Sequence, residues 1–225
     1  LKVLSFGAGV QSTALLLMSC KGILPKLDCC VFADTGYEPQ AVYDGLEWCT
    51  KYAAKQGIPV HVVKGTVYGS QDGLRLDVLN NITKPDGGHV PALPFFTASK
   101  EGINTGISRR HCTANYKIYP INKFMREKLM GLKPRQHSPK HVVIEQWLGI
   151  SSDEATRAKD SLERWCVNVF PFINYGVDYF NGKNWNRRQI IQWLSDTFPD
   201  LPVPRSACIC CPFHSNAEWK RLTPE

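Results

Sequence analysis

The sequence predicts an α/β fold: a doubly wound, mostly parallel sheet with helices on both faces and a small cysteine-containing lobe at the C-terminal end. Three observations predict it. Lys2-Val3-Leu4-Ser5-Phe6 has strand character and runs through a glycine-bearing turn directly into an apolar helix from about Ser12 to Cys20. Leu27 to Ala33 is apolar on both faces, as a strand inside a parallel sheet must be. Strand, helix, strand, helix, strand then alternate as far as Val63, and right-handed crossovers turn that order into a doubly wound sheet.

Taken in order, Cys29 and Cys30 fall inside the second strand and read as small core residues. Pro39 suits the first position of a helix running to about Gln56, with Val42, Leu46, Cys49 and Ala53 on its buried face and Gly57 ending it. Pro59 to Val63 is the third strand. Residues 83–108 are rich in Gly and Pro and read as a lid or substrate loop, with Phe95-Phe96 able to pack. A helix follows from about Ile121 to Met130, a basic loop from Lys133, a fourth strand over His141 to Gly149 and a fifth over Val167 to Ile173. Ser151-Ser152-Asp153-Glu154 has capping-box spacing with Ser151 as cap, which makes Glu154 a structural residue rather than a catalytic acid. Asn186 caps a helix burying Ile190, Ile191, Leu194 and Phe198, and Pro199 stops it. Trp147, Trp165, Trp185, Trp193 and Trp219 read as packing residues.

The chain has 225 residues, enough for a substantial core, and no apolar run approaches the roughly 18 residues of a membrane span. No signal-peptide pattern is visible, and nine cysteines in a parallel α/β pattern suit a reducing, cytoplasmic setting better than a disulfide scaffold. A net charge of +7 is compatible with a polyanionic partner and equally with plain surface basicity.

Two turns lie where ligands bind in such sheets, beyond the carboxyl ends of the strands. Gly7-Ala8-Gly9-Val10-Gln11-Ser12-Thr13 sets backbone N–H groups and a helix N-terminus toward an anion. It is neither a Walker loop, for no Gly-Lys-Ser/Thr follows, nor a dinucleotide fingerprint, for the third glycine is missing. Asp34-Thr35-Gly36 follows the second strand. Arg109, Arg110 and Lys117 flank Cys112, surroundings that lower a thiol pKa and clamp phosphate or sulfate. Arg157 is a further candidate anion ligand. Cys208 and Cys211 form a Cys-x-x-Cys, able to reach one metal centre from a single turn, with Cys112 as the distant third ligand and Cys210 or His214 as a fourth. An iron–sulfur cluster, a Zn2+ site with His111 or His214, and a redox disulfide between Cys208 and Cys211 all stay open.

Ser5-Phe6-Gly7 after the first strand, Asp34-Thr35-Gly36-Tyr37 with Pro39 after the second, residues 109–121 and Arg205 to Phe213 together resemble the phosphoadenosine phosphosulfate reductase branch of the PP-loop adenine-nucleotide superfamily. The resemblance implies an adenine nucleotide alpha-hydrolase-like fold over 1–165, including a lid at about 83–108, and an extension over 166–225 carrying the Cys-x-x-Cys-Pro motif. It implies ATP or another adenine nucleotide held by Ser5, Gly7, Gly9, Gln11, Ser12 and Thr13, with Asp34, Thr35 and Gly36 at Mg2+ or ribose. It implies a 4Fe–4S cluster on Cys112, Cys208 and Cys211, similar to cluster-bearing thiolation enzymes and adenylylsulfate reductases. Gln11 stands where the family's usual loop has an aspartate that assists magnesium, and the Glu-Cys-Gly-Leu/Ile-His nucleophile segment of true reductases is absent within these residues. The expected activity is ATP-dependent adenylation and thiolation of tRNA or DNA from a sulfur donor, with Cys112, Arg109, Lys117 and Arg157 at the reacting groups. The alternatives are reduction of adenylylsulfate or its 3′-phosphorylated form, and a nucleotide-binding module with structural zinc. No membrane partner is expected, and a homodimer is an open option.

Overall fold

The computed structural model describes residues 1–65, 73–75, 77–78, 93–94, 96–100, 102, 104–107, 111–175, 177–201, 203 and 205–222. Two compact units are interleaved along the chain. The first comprises Leu1–Phe32, Gln40–Val62 and Met125–Ser206, and the second Ala33–Pro39, Val63–Phe124 and Ala207–Glu225.

Five strands form one sheet: β1 (Lys2–Phe6), β2 (Cys29–Asp34), β3 (Val60–Lys64), β6 (Ile144–Trp147) and β7 (Cys166–Val169), in the order β3-β2-β1-β6-β7. The β2-β1, β1-β6 and β6-β7 pairs are parallel. Strand order therefore reverses between β1 and β6, which is the switch point where a doubly wound sheet opens a crevice at its carboxyl edge.

Helix α1 (Val10–Cys20) is buried from Val10 to Ser19, because it lies in the core cluster between the sheet and the helices α2 (Gln40–Lys55) and α4 (Arg187–Thr197). The expected face of α2 is buried, at Val42, Leu46, Cys49 and Ala53, and Gly57 ends the helix in the left-handed region at φ +67°. Asn186 caps α4 with a complete capping box to Gln189. Ile190 and Leu194 are buried as expected, but Ile191 is 43% exposed, because it lies one residue and about 100° round the helix from Ile190. Burial raises the pKa of Cys29 to about 11, and Asp28 adds to it; burial carries Cys30 well above the usual thiol value.

Three expected elements differ. The fifth strand stops at Val169 and turns into a 3-10 turn over Pro171–Ile173, since Pro171 has no N–H for a sheet ladder. Helical structure begins at His111, ten residues before the expected start, and passes through π-helical stretches at Ala114–Ile118 and Met125–Leu129 on either side of α3 (Tyr119–Phe124). Ser151 sits in the cap position of a 3-10 helix over Ser152–Arg157 but makes no capping hydrogen bond. Its hydroxyl is used otherwise, accepting from Gln11 Nε2 at 3.3 Å. Of the lid at 83–108, most lies outside the described residues. The described part contains a hairpin of β4 (Phe96–Ala98) and β5 (Asn104–Ile107). The second unit is completed by α5 (Asn216–Leu222), where Trp219 is half-exposed and meets the His214 ring edge-on.

Candidate functional site

In the first unit the opening turn lies at the switch point. Gly9 precedes α1 in an extended conformation with no side-chain cap, so the N–H groups of the first helical turn have no side-chain acceptor from the cap residue. Ala8 takes up φ +51°, a left-handed conformation that a non-glycine residue adopts only when the fold holds it there. Ser12 is buried and closes the turn on itself: its Oγ accepts from Gly7 N at 3.2 Å and donates to Gly9 O at 3.3 Å. Ser5 accepts from Gln146 Nε2 at 2.7 Å. Thr13 faces inward, and its hydroxyl hydrogen-bonds the buried Cys49 sulfur.

Gln11, the residue in the aspartate position, is buried with both ends of its amide engaged. Oε1 accepts from Arg187 Nη1 at 3.0 Å, and Nε2 donates to Ser151 Oγ and, at 3.5 Å, to Glu154 Oε2. Glu154 in turn holds Arg157 at 2.7 Å. Arg157 is thus placed one partner away from Gln11, as half of an exposed ion pair.

Sequence reasoning missed three residues of this region. Arg187 opens α4 and reaches Gln11. Gly149 approaches so closely that a Cβ there would stand 2.8 Å from Ser12 N. Ser206 lies over the turn, with its backbone N 3.3 Å from where a Cβ on Gly9 would be. Only the glycine pattern carried any signal of these contacts.

The second unit gathers the β2 turn, the 111–118 helical segment and the cysteine motif. Asp34 closes its turn through Oδ1, which accepts from Gly36 N at 2.8 Å, while Oδ2 lies 3.8 Å from Lys64 Nζ. Gly36 is left-handed at φ +69°. Thr35 is buried, with its hydroxyl 3.2 Å from Glu38 Oε1 and 3.5 Å from Cys208 Sγ. Lys117 does not flank Cys112 as a bare cation, because its Nζ is paired with Glu38 Oε1 at 3.0 Å. Arg109 and Arg110 lie outside the described residues.

Cys112, Cys208 and Cys210 pack against one apolar cluster of Leu74, Val78, Leu93 and Tyr116, so the structure brings the mid-chain thiol and the late thiols together. Burial pushes the Cys208 thiol up to about 12, with the Glu38 carboxylate adding to the effect and Lys117 opposing it. Burial likewise takes Cys210 to about 12, and Cys208, Cys211 and Cys112 are close enough to contribute. Both thiols are therefore protonated at neutral pH. Among the described residues, no three His, Cys, Asp or Glu side chains converge in a metal-holding arrangement.

Glu38 is the residue of this unit that sequence reasoning quoted but gave no role. Its side chain is 1% exposed, and Oε2 is buried without a hydrogen-bond partner. His214 Nδ1 is buried with no hydrogen bond among the described residues but lies 3.9 Å from Glu218 Oε2, while its Nε2 lies 2.8 Å from Cys208 O.

No family model and no curated protein matches the chain. Among solved structures it is similar to phosphoadenylyl-sulfate (PAPS) reductase from Candida auris in a phosphate complex, at a TM-score of 0.50 and 14% identity, over 91% of this chain and 74% of that one. The fold is therefore PAPS reductase-like. No helix among the described residues is long and apolar enough to cross a membrane.

Proposed function

We propose that this protein is a sulfur-transfer enzyme acting through an adenine nucleotide, and that the reaction its geometry supports best is cleavage of adenylylsulfate or the 3′-phosphorylated form to sulfite. The observation that carries this choice is the state of Gln11. A neutral amide whose two ends are held by Arg187 and Ser151 offers no charge to magnesium, and a sulfonucleotide needs no ATP cleavage. The turn at Gly7 to Ser12 would bind the nucleotide's phosphate through backbone N–H groups, with Asp34, Thr35 and Gly36 at ribose or Mg2+.

Cys112 would attack the sulfate sulfur, forming an S–S bond while the bond from that sulfur to the bridging phosphate oxygen breaks and AMP, or adenosine 3′,5′-bisphosphate from the 3′-phosphorylated form, leaves. An external thiol then attacks the Cys112 sulfur, releasing sulfite, and a second regenerates Cys112 with formation of an external disulfide. Arg109, Lys117 and Arg157 are the proposed cationic groups for the leaving and transferring anions. Cys208 and Cys211, with Cys210 and, where it is not carrying sulfur, Cys112, are the proposed ligands of a 4Fe–4S cluster or of Zn2+. What supports this reading is that Cys112, Cys208 and Cys210 pack against one apolar cluster. When bound, the metal would supply a Lewis-acidic centre beside the sulfur chemistry.

A second reading, ATP-dependent thiolation of tRNA or DNA, is favoured by the gathering of four thiols in one unit and by the net charge of +7. Protein purified without oxygen is incubated with either sulfonucleotide and a dithiol, and separately with ATP and tRNA or DNA. Sulfite with stoichiometric AMP, or adenosine 3′,5′-bisphosphate from the 3′-phosphorylated substrate, is the expected result. AMP and pyrophosphate from ATP, with sulfur appearing on the nucleic acid and no sulfite from either sulfonucleotide, would replace the first reading by the second.

A further inference from the structure

We infer that the loop from Lys133 to His141 is a contact surface for the phosphate backbone of nucleic acid, with Arg135 at its tip. The loop lies wholly within the first unit, and the inference stands whichever sulfur reaction the protein performs. Charge is the first observation. Met125 to His141 holds five cationic side chains, Arg126, Lys128, Lys133, Arg135 and Lys140, against one acid, Glu127, so this short stretch carries four of the chain's seven net positive charges. Lys128, Lys133, Arg135 and Lys140 are exposed, and among the described residues none of the four is paired with a carboxylate. Other cations of the unit are paired: Lys2, Lys51 and Arg157 each meet a carboxylate, on Glu145, Glu47 and Glu154.

The second observation is that the loop has a built shape. Gln136 N donates to Lys133 O at 3.0 Å, closing a β-turn over Lys133-Pro134-Arg135-Gln136, and Gln136 Oε1 accepts from Lys133 N at 2.9 Å. Pro134 fixes φ at the second position and Arg135 takes φ +66° at the third, which makes the turn type II with an arginine where glycine ordinarily sits. Arg126 turns its guanidinium inward, donating to Gln136 O at 2.8 Å through Nη2 and to Ser138 Oγ through Nη1. One cation thus braces the loop and leaves Lys133, Arg135 and Lys140 to solvent. Glycine would hold the left-handed position without strain, so the arginine there serves its exposed charge rather than the turn. Several fixed cations without acidic neighbours suit successive phosphates, whose condensed counter-ions they release, and such contacts position a nucleic acid without reading its sequence. A lipid surface fits less well, because Lys133 to His141 offers no aliphatic side chain, Phe, Tyr or Trp for insertion into a bilayer.

The experiment is a fluorescence-anisotropy titration of the full-length protein against two labelled probes, a mixed-sequence DNA duplex and an unmodified tRNA transcript, between about 50 and about 200 mM KCl, the two arms separating DNA from RNA. Binding to at least one probe is expected. On the duplex, three backbone contacts give a slope of log affinity against log salt of about −2.7, a loss of about fortyfold over that range. Arg135→Gly is expected to unfold at or above the native denaturant concentration, because glycine relieves the turn, while lowering affinity about three- to tenfold and flattening the salt slope by about one. Lys133→Gln with Lys140→Gln should lower affinity at least about tenfold. Lys51→Gln, which takes one charge from a paired lysine of the same unit, should change it less than about twofold. No binding to either probe at the low-salt end, equal losses in Lys51→Gln and Arg135→Gly, an Arg135→Gly protein less stable than the native chain, or tighter binding to phosphatidylserine vesicles than to both nucleic acids would each overturn the assignment. The readout needs no turnover: a protein that binds nucleic acid through this loop yet makes no sulfite overturns the reductase reading alone, and one that makes sulfite while its loop binds neither probe overturns only the surface.

Discussion

The opening turn of the first unit and the thiol pocket of the second differ in how their buried polar atoms are satisfied. Around the turn, Gln11, Ser12 and Ser151 are hydrogen-bonded to one another, to Arg187 or to the backbone. In the thiol cluster, Glu38 Oε2 is buried with no hydrogen bond among the described residues, and His214 Nδ1, also without one, lies 3.9 Å from Glu218 Oε2. A closed network fixes a shape before any ligand arrives, and its free valence is confined to backbone N–H groups at a helix start. A cluster with an unmatched carboxylate oxygen has its free valence in a side chain.

The contrast extends to packing, and the largest effect is expected there. Leu16 is fully buried in the core of the first unit, and Leu16→Ala should cost about 2–5 kcal/mol in denaturant unfolding. Leu74→Ala, in the second unit's cluster of four buried residues, should fall at or below the lower end of that range, because a small cluster can collapse around the loss. Equal costs would remove the distinction. Next is Gly149→Ala. Its Cβ would stand 2.8 Å from Ser12 N and 3.0 Å from Gln11 C, backbone atoms that cannot swing away, so about 1–3 kcal/mol of stability should go. Calorimetric titration with the nucleotide should show weaker binding by the same variant, and unaltered binding would mean that the turn is not the anion site.

Arg187→Met is expected to act more gently. It leaves Gln11 Oε1 without its donor, a loss of about 1 kcal/mol that a thermal melt would register. Nucleotide binding that improved in this variant would argue that Gln11 restrains the turn rather than shaping it. The smallest effect concerns acid. Burial pushes the Asp153 carboxyl up, but hydrogen bonds from Arg187 N and Ser151, with the Arg187 charge, together bring it below its ordinary value. Its contribution is present above the unfolded pKa and is lost as pH falls through the lowered folded value. Asp153→Asn should therefore lower stability slightly at pH 6 and less at pH 3, narrowing the difference between the two in denaturant unfolding.

The core was legible because its signals are local and repeated. The expected positions Val42, Leu46, Cys49 and Ala53 of α2 are buried at helical spacing, and β2 is apolar from Cys29 to Ala33, so each residue announces its neighbours. Ile191 misled because the expected apolar stripe was drawn one residue too wide, and Ser151 because its hydroxyl had a distant competitor in Gln11. Glu38 stood in a motif already picked out, but its burial depends on Lys117, Thr35 and Cys208, which no spacing rule links.

Composition and order alone determined the parallel α/β architecture, the glycine turn at its first strand and the presence of thiols in two distant segments, since periodicity, turn chemistry and cysteine spacing are properties of short stretches. Which thiols share a pocket, which carboxylate oxygen is left unmatched beside them, and that Gln11 is held by Arg187 were decided by the tertiary structure. Such pairings join residues as much as 176 positions apart, and their energy exists only once water has been excluded from around them.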